Sequence, residues 1–149
     1  MEKWRVILRG RLELKSDLER VKSLILSNGK TEFEEDDTCC YGDFVLLNGH
    51  PSIRSSLTVV VNEPEGVFVQ YQEEPTLDAR VLVNPQNRGI GSLCDGGGQC
   101  TEIPARYFVP PEQAWESVEY FIRERVENPE LEWLPFDLKS AEAEVTKVR

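Results

Sequence analysis

Two alternating apolar runs joined by a short polar segment constrain the fold of this chain more than any other feature. Apolar residues occupy every second position of 57–61 and again of 67–71, and Asn-Glu-Pro-Glu-Gly at 62–66 joins the two runs. A period of two is typical of β-strands, and a short connection rich in Asn, Pro and Gly is typical of a hairpin turn. The sequence therefore predicts an antiparallel sheet built around this hairpin.

Other segments extend the pattern on both sides of the hairpin. Residues 4–14 alternate and predict a single strand with a bend or bulge at Gly10. Ser16 and Glu19 form a capping box that begins a helix ending at residues 28–29, and Pro111 begins a second, amphipathic helix. Further strands are predicted at 44–47, 80–84, 105–109 and 131–133. The prediction is an α+β fold, a single domain with a mostly antiparallel sheet of about six strands and two main helices packed on one face.

The domain is expected to span residues 1–136. Residues 84–99 are predicted to be a glycine-rich loop, and residues 137–149 mainly a charged C-terminal tail, with a short helix over 138–149 as the alternative. Trp115, on the apolar stripe of the second helix, and Trp133, on the last strand, are predicted to be core residues that lie near each other.

The charge of the chain narrows its class of partner. Its 149 residues include 27 acidic and 17 basic side chains, a formal net charge of -10. Such a surface repels nucleic acids and anionic membranes and speeds encounter with a basic partner. The chain shows neither a run long and apolar enough for a membrane span nor an apolar leader, so we expect a cytoplasmic location and no direct contact with nucleic acid or membrane.

The cysteines and the single histidine could suggest chemistry. Cys39, Cys40, Cys94 and Cys100 are too few for a disulfide framework, so free thiols are expected; a Cys94–Cys100 disulfide is feasible but unexpected in a reducing cytoplasm. A metal site made from Cys40, His50, Cys94 and Cys100 lacks the usual ligand spacing, and the glycines match no phosphate-binding pattern. We therefore predict no enzyme, no cofactor and no metal; a small metal or nucleotide enzyme using Cys94, Cys100 and His50 is the minor alternative.

Two acidic clusters, each with aromatic residues near it in the sequence, are candidate partner-binding surfaces. Clustered carboxylates steer association with basic proteins, and aromatic residues often supply the binding energy. The alternative is that each cluster is a solvated loop. The predicted partner-binding residues are Phe33, Glu34, Glu35, Asp36, Asp37, Tyr41, Tyr71, Glu73, Glu74 and Asp78.

A series of short motifs follows in a distinctive order. Gly66 precedes an aromatic-containing strand, Pro104 ends a short strand, Pro111 opens a helix containing Ala114 and then Tyr120-Phe121, and Trp133 closes a Pro-Glu-Leu-Glu-Trp segment. This order, over roughly residues 57–133, resembles a family of bacterial immunity proteins associated with deaminase-fold toxins. One departure is the segment 123–128, which lacks the glycine-containing turn usual in that family.

The resemblance implies a cytoplasmic antidote that binds one protein toxin and occludes its active site or substrate groove. Deaminase toxins act on nucleic acids or nucleotides, so a basic cleft is expected on the toxin, for which an acidic protein is a suitable ligand. The competing hypothesis is a non-enzymatic acidic interaction or regulatory domain that docks on another basic protein. The sequence leaves the oligomeric state open.

Overall fold

The computed structural model describes residues 5–8, 11–13, 22, 25–26, 41–47, 55–62, 65–73, 78–94, 100–124 and 126–148. Within these ranges the chain forms nine strands in two antiparallel sheets, a 3₁₀ turn and two helices, and Lys22, Ile25 and Leu26 are also helical. The α+β fold class predicted from the sequence is confirmed. The strands are β1 (Arg5–Leu8), β2 (Arg11–Glu13), β3 (Tyr41–Leu47), β4 (Ser55–Asn62), β5 (Gly66–Glu73), β6 (Asp78–Leu82), β7 (Ile90–Cys94), β8 (Cys100–Pro104) and β9 (Trp133–Pro135), and the helices are α1 (Pro111–Glu124) and α2 (Leu138–Val148).

Seven strands form the large sheet, in the order β2-β1-β3-β4-β5-β6-β9, with every neighbouring pair antiparallel. The central pair, β4 and β5, is the hairpin that the alternating runs predict. Its register places Leu57 opposite Tyr71 and Val59 opposite Val69, so the apolar residues of both runs share one face. The remaining strands, β7 and β8, pair with each other as a separate two-stranded ribbon.

The central strands β4 and β5 are covered on both faces, and each face has its own core. The first core joins the apolar face of β4 and β5 to α1, through Ala114, Val118 and Phe121, and it also contains Ile25. The second core lies on the opposite face and joins Val60 and Phe68 to α2 and to the β7–β8 ribbon; its other members are Val81, Val83, Ile103, Tyr107, Phe108 and Ala141. Trp115 and Trp133, predicted to be core residues, are partly buried and pack against the first core, and Trp133 Nε1 donates a hydrogen bond to the Asn128 carbonyl (2.8 Å).

The structure corrects two strand predictions and one loop prediction. Residues 4–14 form two antiparallel strands, because β1 and β2 pair with Val6 opposite Glu13. The strand predicted at 105–109 is a 3₁₀ turn over Ala105–Tyr107 followed by a single bridge from Val109 to Val67, and the strand itself, β8, lies just before it. The predicted loop at 84–99 contains β7, whose partner β8 supplies the pairing that its own pattern does not reveal.

Residues 138–148 form the helix α2, which is the alternative to the charged tail predicted at 137–149. The Asp137 carboxylate caps this helix by accepting hydrogen bonds from Ser140 N (3.0 Å) and Ser140 Oγ (2.8 Å), and the same bonds lower the pKa of Asp137. Ala141 and Val145, one turn apart, are buried. The helix is therefore part of the domain.

The prediction of free thiols is wrong for one cysteine pair. Cys94 and Cys100 form a disulfide, with an S–S distance of 2.07 Å. They face each other on the last described rung of the β7–β8 ribbon. Cys39 and Cys40 lie outside the described residues.

Candidate functional site

A cleft of about 900 Å³ opens where β5 ends, β6 begins and α2 starts. The pairing of β5 with β6 places Glu73 opposite Asp78 and Tyr71 opposite Arg80. The edge strand β9 pairs with β6 only from Arg80 onward, and Phe136 N then donates to the Ala79 carbonyl (2.9 Å) before the chain turns into α2. The cleft is lined by Tyr71, Glu73, Asp78, Ala79, Arg80, Pro135, Phe136, Asp137 and Ser140, and we refer to it as the acidic cleft.

Carboxylates outnumber cations in the lining of the acidic cleft. Among the described lining residues, Glu73, Asp78 and Asp137 supply three carboxylates and Arg80 one cation. The Arg80 guanidinium forms an ion pair with Glu127, which lies outside the lining, and lies 5.9 Å from the centre of the Tyr71 ring. Because Glu127 offsets the charge of Arg80, the balance of charge among the described lining residues is negative.

Tyr71 is a structural residue with one polar contact to the cleft. Its side chain is only 2% exposed, and its ring packs edge-on against Phe121 with ring centres 6.2 Å apart. Its hydroxyl donates to Glu73 Oε2 (2.8 Å), and burial together with the Glu73 carboxylate raises the pKa of Tyr71, so the hydroxyl stays a donor at neutral pH. Tyr71 is one of the predicted partner-binding aromatics, but its ring is buried, because the period-two pattern turns residue 71 toward α1. The contact instead positions Glu73.

Glu127 stands behind the cleft with one oxygen unsatisfied. Its side chain is 15% exposed, and Oε2 is buried without a hydrogen-bond partner in the described structure. Burial raises the pKa of Glu127 and the nearby Glu73 carboxylate adds to this, whereas Arg80 opposes it. The net direction is upward, so the environment of Glu127 favours a proton or another hydrogen-bond donor.

The structure brings together only part of the predicted partner-binding set. Glu73, Asp78 and the Tyr71 hydroxyl meet at the acidic cleft. Tyr41 is the first residue of β3, opposite Asn62. Phe33, Glu34, Glu35, Asp36, Asp37 and Glu74 lie outside the described residues, so their role stays a prediction.

The sequence did not predict that Arg80, Glu127, Asp137 and Ser140 lie at or beside the cleft. The spacing of Asp137 and Ser140 is that of a helix cap, and together with the four-residue spacing of Ala141 and Val145 it could have revealed α2 and hence one wall of the cleft. No local pattern links Arg80 to Glu127, because they are far apart in the sequence and meet only through the fold.

A smaller groove of about 300 Å³ lies between α1 and the turn at 128–130. Glu116, Glu119 and Glu130 line it, and Arg123 lies 5.4 Å from the centre of the Tyr120 ring. The polar face of α1 thus adds a second region of negative charge.

The described residues contain no group of three or more His, Cys, Asp or Glu side chains placed to hold a metal ion. Of the cysteines in the minor metal hypothesis, Cys94 and Cys100 are joined in the disulfide, and Cys40 and His50 fall outside these ranges. No helix among the described residues is long and apolar enough to cross a membrane.

Comparison with known proteins finds no family model that matches the chain and no matching curated protein. The resemblance to immunity proteins thus rests on the order of the sequence motifs.

Proposed function

We propose that this chain is an immunity protein that binds and neutralises a basic protein toxin, and that the acidic cleft is part of its binding surface. The observation that supports this most directly is the meeting of Glu73, Asp78 and Asp137 at one cleft in a chain of net charge -10. The motif order supports a deaminase-type toxin that acts on nucleic acids or nucleotides.

The lining of the cleft suits a lysine or arginine side chain of the partner. Ala79, Pro135 and Phe136 offer an apolar wall for the aliphatic stem, and the carboxylates offer acceptors for the charged head group. An acidic protein seated in a basic substrate groove takes the place of the nucleic acid, so neutralisation needs no chemistry by the immunity protein. Its action is binding.

The test begins with the gene immediately upstream, where the proposal expects a toxin, and co-expresses the C-terminal domain of its product with this chain. Co-expression should restore growth, and purified proteins should form a one-to-one complex whose affinity falls as salt rises. The variant Glu73→Lys/Asp78→Lys should weaken binding, and Glu112→Lys/Glu142→Lys, which makes the same charge change at exposed helical positions outside the cleft lining, should weaken it less. Growth arrest that persists at full expression of the folded wild-type chain would refute neutralisation.

The acidic interaction or regulatory domain is the alternative, because the chemistry of the cleft would accept a basic segment of any protein. The two proposals differ in gene context. A toxin gene immediately upstream is expected only for an immunity protein, and a chromosomal neighbourhood without one, in every genome that carries this chain, would favour the alternative.

A further inference from the structure

The disulfide closes one end of the β7–β8 ribbon, and its two sulfur-bearing residues differ in exposure. Cys94 is 2% exposed, whereas Cys100, directly opposite with its Cα 4.0 Å away, is exposed. Thiol–disulfide exchange requires an incoming thiolate to reach one of the two sulfurs. Access therefore favours attack on Cys100.

The other end of the ribbon is held without the disulfide. Ile103 is fully buried in the second core, and Ala105 N donates to the Gly89 carbonyl (2.9 Å). Gly91 approaches the Phe108 ring so closely that a β-carbon at residue 91 would lie 2.6 Å from it. The base of the ribbon is thus fixed by packing.

The rung formed by Cys94 and Cys100 is the last described rung of the ribbon, and we call it the tip. A two-stranded ribbon is marginally stable by itself in water. At this rung the disulfide joins the two strands covalently.

We propose that Cys94–Cys100 is a reversible thiol-exchange site, attacked at Cys100, which a dithiol reductant opens and a small-molecule disulfide, itself reduced to two thiols, closes again. A thiolate of the dithiol bonds to the Cys100 sulfur, the Cys94–Cys100 bond breaks, and Cys94 leaves as a thiolate that takes a proton. The second thiol of the reductant then attacks the mixed disulfide, Cys100 is released as a thiol, and the reductant leaves as a cyclic disulfide. Two electrons and two protons pass to the protein.

The change is confined to the tip. None of the residues that line the acidic cleft belongs to β7 or β8, so the proposal stands apart from the proposed function. Reduction should loosen the tip and leave the β4–β5 hairpin folded.

A matched pair of variants tests the direction of attack. In a Cys39→Ser/Cys40→Ser background, Cys94→Ser leaves the exposed Cys100 thiol and Cys100→Ser leaves the buried Cys94 thiol. With oxidised glutathione, mass spectrometry should show a mixed disulfide forming at least about tenfold faster on the Cys94→Ser variant, since reactivity follows access. Equal rates, or faster reaction at Cys94, would overturn the assignment.

The second readout is hydrogen exchange on the Cys39→Ser/Cys40→Ser protein, which keeps Cys94 and Cys100. It does not depend on whether the single-cysteine variants fold. Air-purified protein should contain the Cys94–Cys100 disulfide, and a dithiol should speed amide exchange in β8 near Cys100 while β4 and β5 stay protected. Absence of the disulfide, unchanged exchange in β8, or loss of protection throughout β4 and β5 would each contradict the proposal.

Discussion

Gly66 lies where the backbone of β5 closely approaches the chain that leads into α1. Its φ is +125°, a conformation that residues with a side chain rarely adopt. The next residue, Val67, exchanges two backbone hydrogen bonds with Val109, each 2.9 Å long, so the chain leading into α1 lies directly beside β5. A β-carbon at residue 66 would lie 2.8 Å from the Val109 carbonyl oxygen. Glycine is therefore needed both for its φ and for the space.

Replacing this glycine is our first prediction. Gly66→Ala should lower the free energy of unfolding by roughly 3 kcal/mol, because backbone strain and the contact with Val109 add together. Gly89→Ala is the matched control: its φ is also positive, +99°, but no atom lies within 4 Å of the added β-carbon, so it should cost about 1 kcal/mol. Urea denaturation measures both, and equal losses would show that the space beside Val109 is not limiting.

At Glu127 the structure predicts a pH dependence of stability. Because folding raises the pKa of this carboxyl, the folded state binds its proton more tightly than the unfolded state. The contribution to stability is full below the unfolded-state pKa and is lost as the pH rises through the folded-state pKa.

The variant Glu127→Gln isolates this effect. The free energy of unfolding of the wild type minus that of the variant should be constant at low pH and should decrease as the pH rises through the pKa of Glu127. Denaturation curves across the acidic range measure it. A difference that instead grew with pH would mean that the ion pair with Arg80 outweighs the burial of Glu127.

Among the contacts between elements, the ion pair of Arg106 with Glu144 links α2 to the 3₁₀ turn. Arg106, in the 3₁₀ turn before α1, donates from Nη1 to Glu144 Oε2 (2.6 Å) and from Nη2 to Oε1 (2.9 Å), and Nη2 also reaches the Tyr107 hydroxyl (3.2 Å). These bonds lower the pKa of Glu144 and raise that of Arg106. The pair joins α2 to the turn whose Tyr107 lies in the second core.

Loss of the Arg106–Glu144 pair should destabilise the protein, and the pH dependence of this effect should be opposite in sign to that at Glu127. Glu144→Gln should cost about 0.5 kcal/mol at neutral pH, a small value because the Glu144 side chain is 45% exposed and solvent screens the pair. Since the folded-state pKa of Glu144 is depressed, the stabilisation is present above the unfolded-state pKa and is lost as the pH falls through the folded-state value. Thermal unfolding at several pH values should show this for Glu144→Gln and not for Glu142→Gln, an exposed change on the same helix.

For the whole molecule, the two acidic clusters make separable predictions about association. Reversing residues 34–37 to lysine should slow association with the basic partner of the proposed function and flatten its salt dependence if that cluster contributes to the interface, and Glu73→Lys/Asp78→Lys should do the same for the acidic cleft. Stopped-flow or surface-plasmon measurements at several salt concentrations distinguish the clusters. Unchanged kinetics for one variant would remove that cluster from the interface.

The parts of the fold that the sequence predicted are those with strong local patterns. The β4–β5 hairpin alternates cleanly and α1 begins at Pro111, so both were found. The ribbon was missed because Ile90–Cys94 shows no alternation and is held by pairing with β8 and by its packing on Phe108. Helix α2 was only the alternative to a charged tail, because most of its residues are charged or small; Ala141 and Val145 are its buried apolar residues among the positions whose burial is described.

The candidate site divides in the same way. Glu73 and Asp78 were found because they flank one β connection, so their proximity follows from the chain itself. Sheet order and the position of α2 bring Arg80 to Glu127 and place Asp78 and Asp137 in the same cleft lining. Patterns of residues that are neighbours in the sequence do not reveal these pairings.

The edge strand β9 has a consequence for behaviour at high concentration. It is only three residues long and ends at Pro135, which has no backbone N–H to donate. Open sheet edges are the usual templates on which identical chains add strand to strand and aggregate. Because β9 presents so few backbone hydrogen-bonding groups to an incoming strand, we expect this edge to be a poor template for fibril growth.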